Sequence, residues 1–132
     1  MRILLIAALA LVTLPAAAQP CHYYWTTDCF EIRDARSRDI THHVLVSASV
    51  YSRQLAEGAQ CSAEGLALSA DHLGDVLKRF NRTLKKIDGC RQLDTLSPQT
   101  FSDATQASQE WRRLQKARAF KQVHEIRRLP ED

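Results

Sequence analysis

Apolar residues recur along this chain mostly at helical spacing. Between Ser62 and Asp88, Leu66, Ala70, Leu73, Leu77, Phe80, Leu84 and Ile87 fall at alternating intervals of four and three. That heptad pattern predicts an amphipathic helix packed along a seam. Gly89 stands where a left-handed residue would end it, and Ser69 offers a second start. Gly65 and Gly74 lie inside the pattern, each weakening a helix by about 1 kcal/mol relative to alanine. Ser97-Pro98 reads as the start of another helix, because serine caps well and proline suits the first helical position. Phe101, Ala104, Ala107, Trp111, Leu114, Ala117, Phe120 and Val123 follow in register until Pro130.

Residues 31–57 carry two patterns at once. Ile40, Val44, Ala48, Tyr51 and Leu55 make a helical stripe, while Val44, Val46, Ala48 and Val50 alternate with Leu45, Ser47, Ser49 and Tyr51. The β-branched content favours a strand locally. A strand needs a partner, and no second period-two segment stands out, so the segment is read as a helix ending at Gly58. Residues 19–30 then form an irregular leader. The expected fold is all-α: a three- to four-helix bundle with an irregular N-terminal arm, stabilised by disulfides.

Composition adds a location. Met1-Arg2 precedes an apolar run from Ile3 to Leu14, and Ala16-Ala17-Ala18 follows. This is the layout of a cleaved export signal covering residues 1–18, with residues 19–132 as a single helical domain. That run of about twelve residues, broken only by Thr13, falls short of the ~20 that span a bilayer, and Pro20 before Cys21 is unsuited to lipid attachment. No later stretch is apolar enough for stable membrane insertion. The richness in Ala, Leu and Arg suggests a bacterial protein of the periplasm or the exterior. Asn81-Arg82-Thr83 fits an N-glycosylation sequon, which matters only for a eukaryotic source.

In an exported chain, Cys21, Cys29, Cys61 and Cys90 read as two disulfides rather than a metal or thiol site, and no Cys-x-x-Cys is present. A continuous middle helix would hold Cys61 and Cys90 roughly 27–40 Å apart, whereas a disulfide needs Cα atoms within about 7 Å. Cys29–Cys90 with Cys21–Cys61 is therefore favoured, with Cys21–Cys90 and Cys29–Cys61 as the alternative.

Charge is uneven. From Lys78 to Arg128 thirteen Lys or Arg face five Asp or Glu, and from Gln19 to Leu77 four face eight. Lys78, Arg79, Arg82, Lys85 and Lys86 lie opposite the apolar stripe, the ordinary place for helix charges. Aromatics are not interleaved with them, so nucleic acid is not expected. Tyr23-Tyr24-Trp25, between two cysteines, is the candidate contact surface, since Tyr and Trp dominate binding hot spots. The competing reading packs them against the core. His22, His42, His43, His72 and His124 include no pair four apart, and adjacent His42 and His43 point to different faces, so no metal site or cofactor is expected. There is no Gly-x-Ser-x-Gly and no phosphate loop. These observations lead to a small exported protein-binding module, such as an inhibitor, immunity factor, adaptor or chaperone. Its partner would be another exported or envelope protein, with an acidic surface to complement the basic C-terminal half. A small-ligand or metal carrier is the alternative, and an enzyme acting on the cell envelope the least favoured.

Overall fold

The computed structural model describes residues 19–34, 36, 39–119, 121–127 and 129. The export signal, residues 1–18, lies outside them. Six strands and two helices follow in order: β1 (Pro20–Tyr24), β2 (Thr26–Asp34), β3 (Asp39–Ser47), β4 (Tyr51–Gln54), α1 (Ala70–Leu84), β5 (Gln99–Phe101), α2 (Ala104–Lys116) and β6 (Gln122–Ile126), with a 3₁₀ turn at Ala117–Ala119 before β6. The expected all-α bundle is thus wrong. The chain builds two three-stranded sheets, β4-β1-β5 and β2-β3-β6.

The correction has a local cause. The supposed lone strand around Val44–Val46 does have a partner: the leader and the residues after it. Thr26 pairs with Val46 and Ile32 with Ile40 along an antiparallel hairpin. Beyond the corner, Cys21 pairs with Arg53 and Tyr23 with Tyr51. Residues 20–34 and 39–54 are therefore two long, bent strands that run through both sheets. Between the Tyr23–Tyr51 and Thr26–Val46 pairs, two residues on one side face four on the other. That excess bends the ribbon as a bulge does. Ser47 secures the corner: its N–H donates to the Trp25 carbonyl at 2.9 Å. Its hydroxyl accepts from the Trp25 N–H at 3.1 Å and donates to the Ser49 carbonyl at 2.9 Å. β6 joins β3 in parallel, and the Ala48 N–H reaches the Ile126 carbonyl at 3.0 Å.

The two helices take opposite faces of this ribbon. Cys21, Tyr23, Trp25 and Leu45 meet Val76, Phe80 and Leu84 of α1 in the main core, joined by Leu55, Leu66, Ile87, Ile126 and Leu129. On the other face Tyr24 stacks on Phe101 at 5.6 Å. There α2 packs on β1 and β5, and the Trp111 indole N–H donates to the Ser47 carbonyl at 2.9 Å.

The helices are also shorter than expected. Ser69 is the N-cap of α1, its hydroxyl accepting from the His72 N–H. The buried face is His72, Val76, Phe80 and Leu84, whereas Leu73 is exposed. Gly89 does take a left-handed conformation, φ 82°, but in a turn beyond the helix. Ser97-Pro98 leads into β5, and the true cap of α2 is Asp103, whose carboxylate accepts from the Thr105 N–H at 2.9 Å.

Candidate functional site

The structure places Tyr23, Tyr24 and Trp25 in the interior, with 6%, 5% and 1% of their surfaces exposed. Trp25 meets Tyr23 edge-on at 6.2 Å and His72 at 6.3 Å, while Tyr23 lies 5.6 Å from Tyr51. Burial, not display, is their role, and they offer no contact surface. All four cysteines are paired: Cys21 with Cys61 across a Cα distance of 5.2 Å, and Cys29 with Cys90 across 5.8 Å. These are the pairs favoured by the spacing argument, reached by a different geometry. Cys21 lies on β1 and Cys29 on β2 of the ribbon, while Cys61 and Cys90 lie in the segments before and after α1. The two bridges mark an oxidising, exported environment.

An exposed apolar patch lies elsewhere. Phe30, Ile32 and Ile40 are 56%, 63% and 55% exposed. Ile32 sits directly opposite Ile40 in the ladder, and Phe30 opposite His42. The Phe30 ring stacks on His42 at 4.3 Å, and the His42 Nε2 hydrogen-bonds Asp28 at 2.9 Å. Among the described residues β2 is the outer strand of its sheet, so the patch lies at a sheet edge. The signal in the sequence is alternation: Cys21, Tyr23 and Trp25 alternate toward the core before the bend, and Phe30 and Ile32 alternate on the outer face after it.

On the opposite face of the same hairpin, Glu31, His43 and His124 form a chain. A Glu31 carboxylate oxygen lies 2.7 Å from His43 Nε2, and His43 Nδ1 lies 3.0 Å from His124 Nε2. The carboxylate accepts, so His43 carries hydrogen on Nε2. Its Nδ1 then accepts from His124 Nε2–H while both rings are neutral. Burial, and then the neighbouring His43, hold the His124 pKa below its ordinary 6.5. The rings are stacked at 5.3 Å. Such a chain can store and pass one proton. Adjacent His42 and His43 do face opposite ways, but across a strand rather than around a helix. Among the described residues no group of three His, Cys, Asp or Glu side chains is placed to hold a metal ion.

Two open clefts lie among the described residues. One, of about 300 Å³, is lined by Ala63, Leu68, Leu73, Leu96 and Pro98 among others. The other, of about 160 Å³, lies between α1 and β6 and is lined by Arg79, Arg82, Thr83, Glu125, Ile126 and Arg127. Among the described residues no helix is long and apolar enough to cross a membrane. No protein-family model matches the chain, and neither a curated protein nor a solved structure shows significant similarity to it.

Proposed function

We propose that this is an exported protein-binding module that engages another exported or envelope protein through the end of the β2–β3 hairpin. The observation that carries this reading is the exposure of Phe30, Ile32 and Ile40 at a sheet edge. Most soluble chains bury or blunt such an edge. An edge strand supplies backbone donors and acceptors, and the apolar side chains select what adds to it. The fitting occupant is an extended segment of a partner with apolar residues at alternate positions. By sequence, the stretch 33–39 between Ile32 and Ile40 holds Arg33, Arg36 and Arg38 against two acids, Asp34 and Asp39. An acidic flank on the partner segment would complement it.

The export layout of residues 1–18, with the two disulfides, supports a periplasmic or extracellular site of action. The test is a photo-crosslinking amino acid at Ile32, with a second at Lys86 as control, in the native compartment. A discrete adduct from Ile32 alone, lost in Phe30→Asp, is expected. Adducts only between copies of this chain, or no adduct, would refute the reading.

A small-ligand carrier remains the second reading, favoured by the 300 Å³ cleft with its leucines. That volume is at the low end for ligand sites. Native mass spectrometry of the purified mature protein separates the two readings, since a carrier would retain a bound mass.

A further inference from the structure

We infer that the cleft between α1 and the end of β6 binds a tetrahedral oxyanion, a phosphate or sulfate, free or as a monoester. Arg79, Arg82 and Thr83 stand three and four residues apart, which puts them on one face of α1. Arg127 approaches from the other wall, one residue past β6. Among the described residues neither Arg79 nor Arg82 has an acidic partner, so their guanidinium donors are unspent. The one acid in the cleft is already engaged. Glu125 accepts from Arg118 at 2.7 Å and lies 3.5 Å from Arg127.

The lining therefore carries three positive charges against one negative. Placing basic residues near the C-terminus of α1 stabilises the helix dipole, and that accounts for Arg82, Lys85 and Lys86. It does not account for Arg127, which comes from another element and converges on the same space. Guanidinium forks favour planar, bidentate contact with oxyanions. Arg79 and Arg82, with the Thr83 hydroxyl beside them, supply unpaired donors from one wall, and Arg127, ion-paired with Glu125, adds its remaining N–H groups from the other. Buried Ile126 forms part of the lining, and a less polar wall strengthens each contact. The cleft accommodates one such group, not a charged tract, which separates it from a nucleic-acid groove.

The probes are inorganic phosphate and methyl phosphate, titrated into the mature protein at constant ionic strength and followed by ¹H–¹⁵N NMR. Saturable shifts centred on Arg79, Arg82, Thr83 and Arg127 are expected, absent with chloride. Arg82→Gln should weaken binding about tenfold or more, and Glu125→Gln should tighten it. Lys86→Gln, outside the cleft, should change it by less than about twofold. Tighter binding of methyl phosphate assigns an ester, equal binding shows that the cleft takes either, and phosphate binding alone assigns the free ion. Non-saturating shifts shared with chloride, or equal losses in Arg82→Gln and Lys86→Gln, would overturn the inference.

Discussion

Gly65→Ala separates the helical reading of residues 62–69 from the structure by the sign of its effect. Inside a helix, alanine for glycine would stabilise the fold by about 1 kcal/mol. In the structure Gly65 belongs to a tight turn before α1, where the Leu66 N–H reaches the Ser62 carbonyl and the Gly65 N–H reaches the Ser62 hydroxyl at 2.9 Å. A Cβ at Gly65 would overlap the Gln60 carbonyl oxygen and stand 2.8 Å from the Gln60 carbonyl carbon. Those are backbone atoms and cannot rotate away. Relief must move the turn, whose next residue, Leu66, is a fully buried core side chain. Overpacking of this kind costs about 1–3 kcal/mol, and loss of the Ser62 bond adds about 1 kcal/mol. The expected destabilisation is therefore about 2–4 kcal/mol. Urea unfolding followed by the fluorescence of buried Trp25 measures it. An unchanged or raised midpoint at constant slope would refute the close-approach argument.

Further outcomes follow from the same geometry. Cys29→Ala with Cys90→Ala opens a bridge spanning 61 residues, and chain entropy puts the loss at about 4 kcal/mol. Peptide mapping of the unreduced protein should return Cys29–Cys90 and Cys21–Cys61, and a Cys61–Cys90 peptide would contradict the fold. The Asn81 amide donates to the Leu93 carbonyl at 2.9 Å and accepts from the Leu93 N–H at 2.7 Å. Asn81→Ala should thus lower stability in urea by about 2 kcal/mol, and the folded sequon should resist glycosylation. The folded chain holds the His124 pKa below 6.5, so the unfolded chain binds the extra proton as pH falls. Stability should decline from about pH 6.5 downward to the lowered value, and urea midpoints of His124→Gln across that window should decline less.

What the sequence could reveal was limited by how it was paired. The capping serine of α1, the helical phase of Phe80 and Leu84, and the need for two disulfides were all readable locally. Strand pairing was not. Val44, Val46 and their neighbours satisfy both periods, and only the presence of a partner strand distinguishes the two. The partner was masked because its aromatics, Tyr23 to Trp25, suggested a binding arm, and because Trp25 sits at a bend where alternation breaks. Short β5 and β6 were absorbed into a helical stripe: Phe101 and Val123 fall at helical spacing by coincidence of phase. Leu73 was counted as core because no local rule reveals that His72, one position away, packs on Trp25.

The patch and the bridge explain one another. Cys29 and Phe30 are consecutive on β2 and so point to opposite faces. On one face the bridge to Cys90 ties β2 to the segment that follows α1, and Cys29 packs against the main core. On the other, Phe30 stands exposed on His42. A hairpin end without that anchor would have to order its backbone on binding, at a cost of about 1–2 kcal/mol per residue fixed. Anchored one residue away, the apolar face is already set before a partner arrives, so more of its burial is realised as affinity. On the proposed reading, the exposed aromatic held next to a disulfide is Phe30, whereas Tyr23, Tyr24 and Trp25 are buried. The Cys29→Ala, Cys90→Ala protein should therefore lose crosslinking from Ile32 even under conditions where it remains folded. Retention of full crosslinking by the folded variant would show that the bridge serves stability alone.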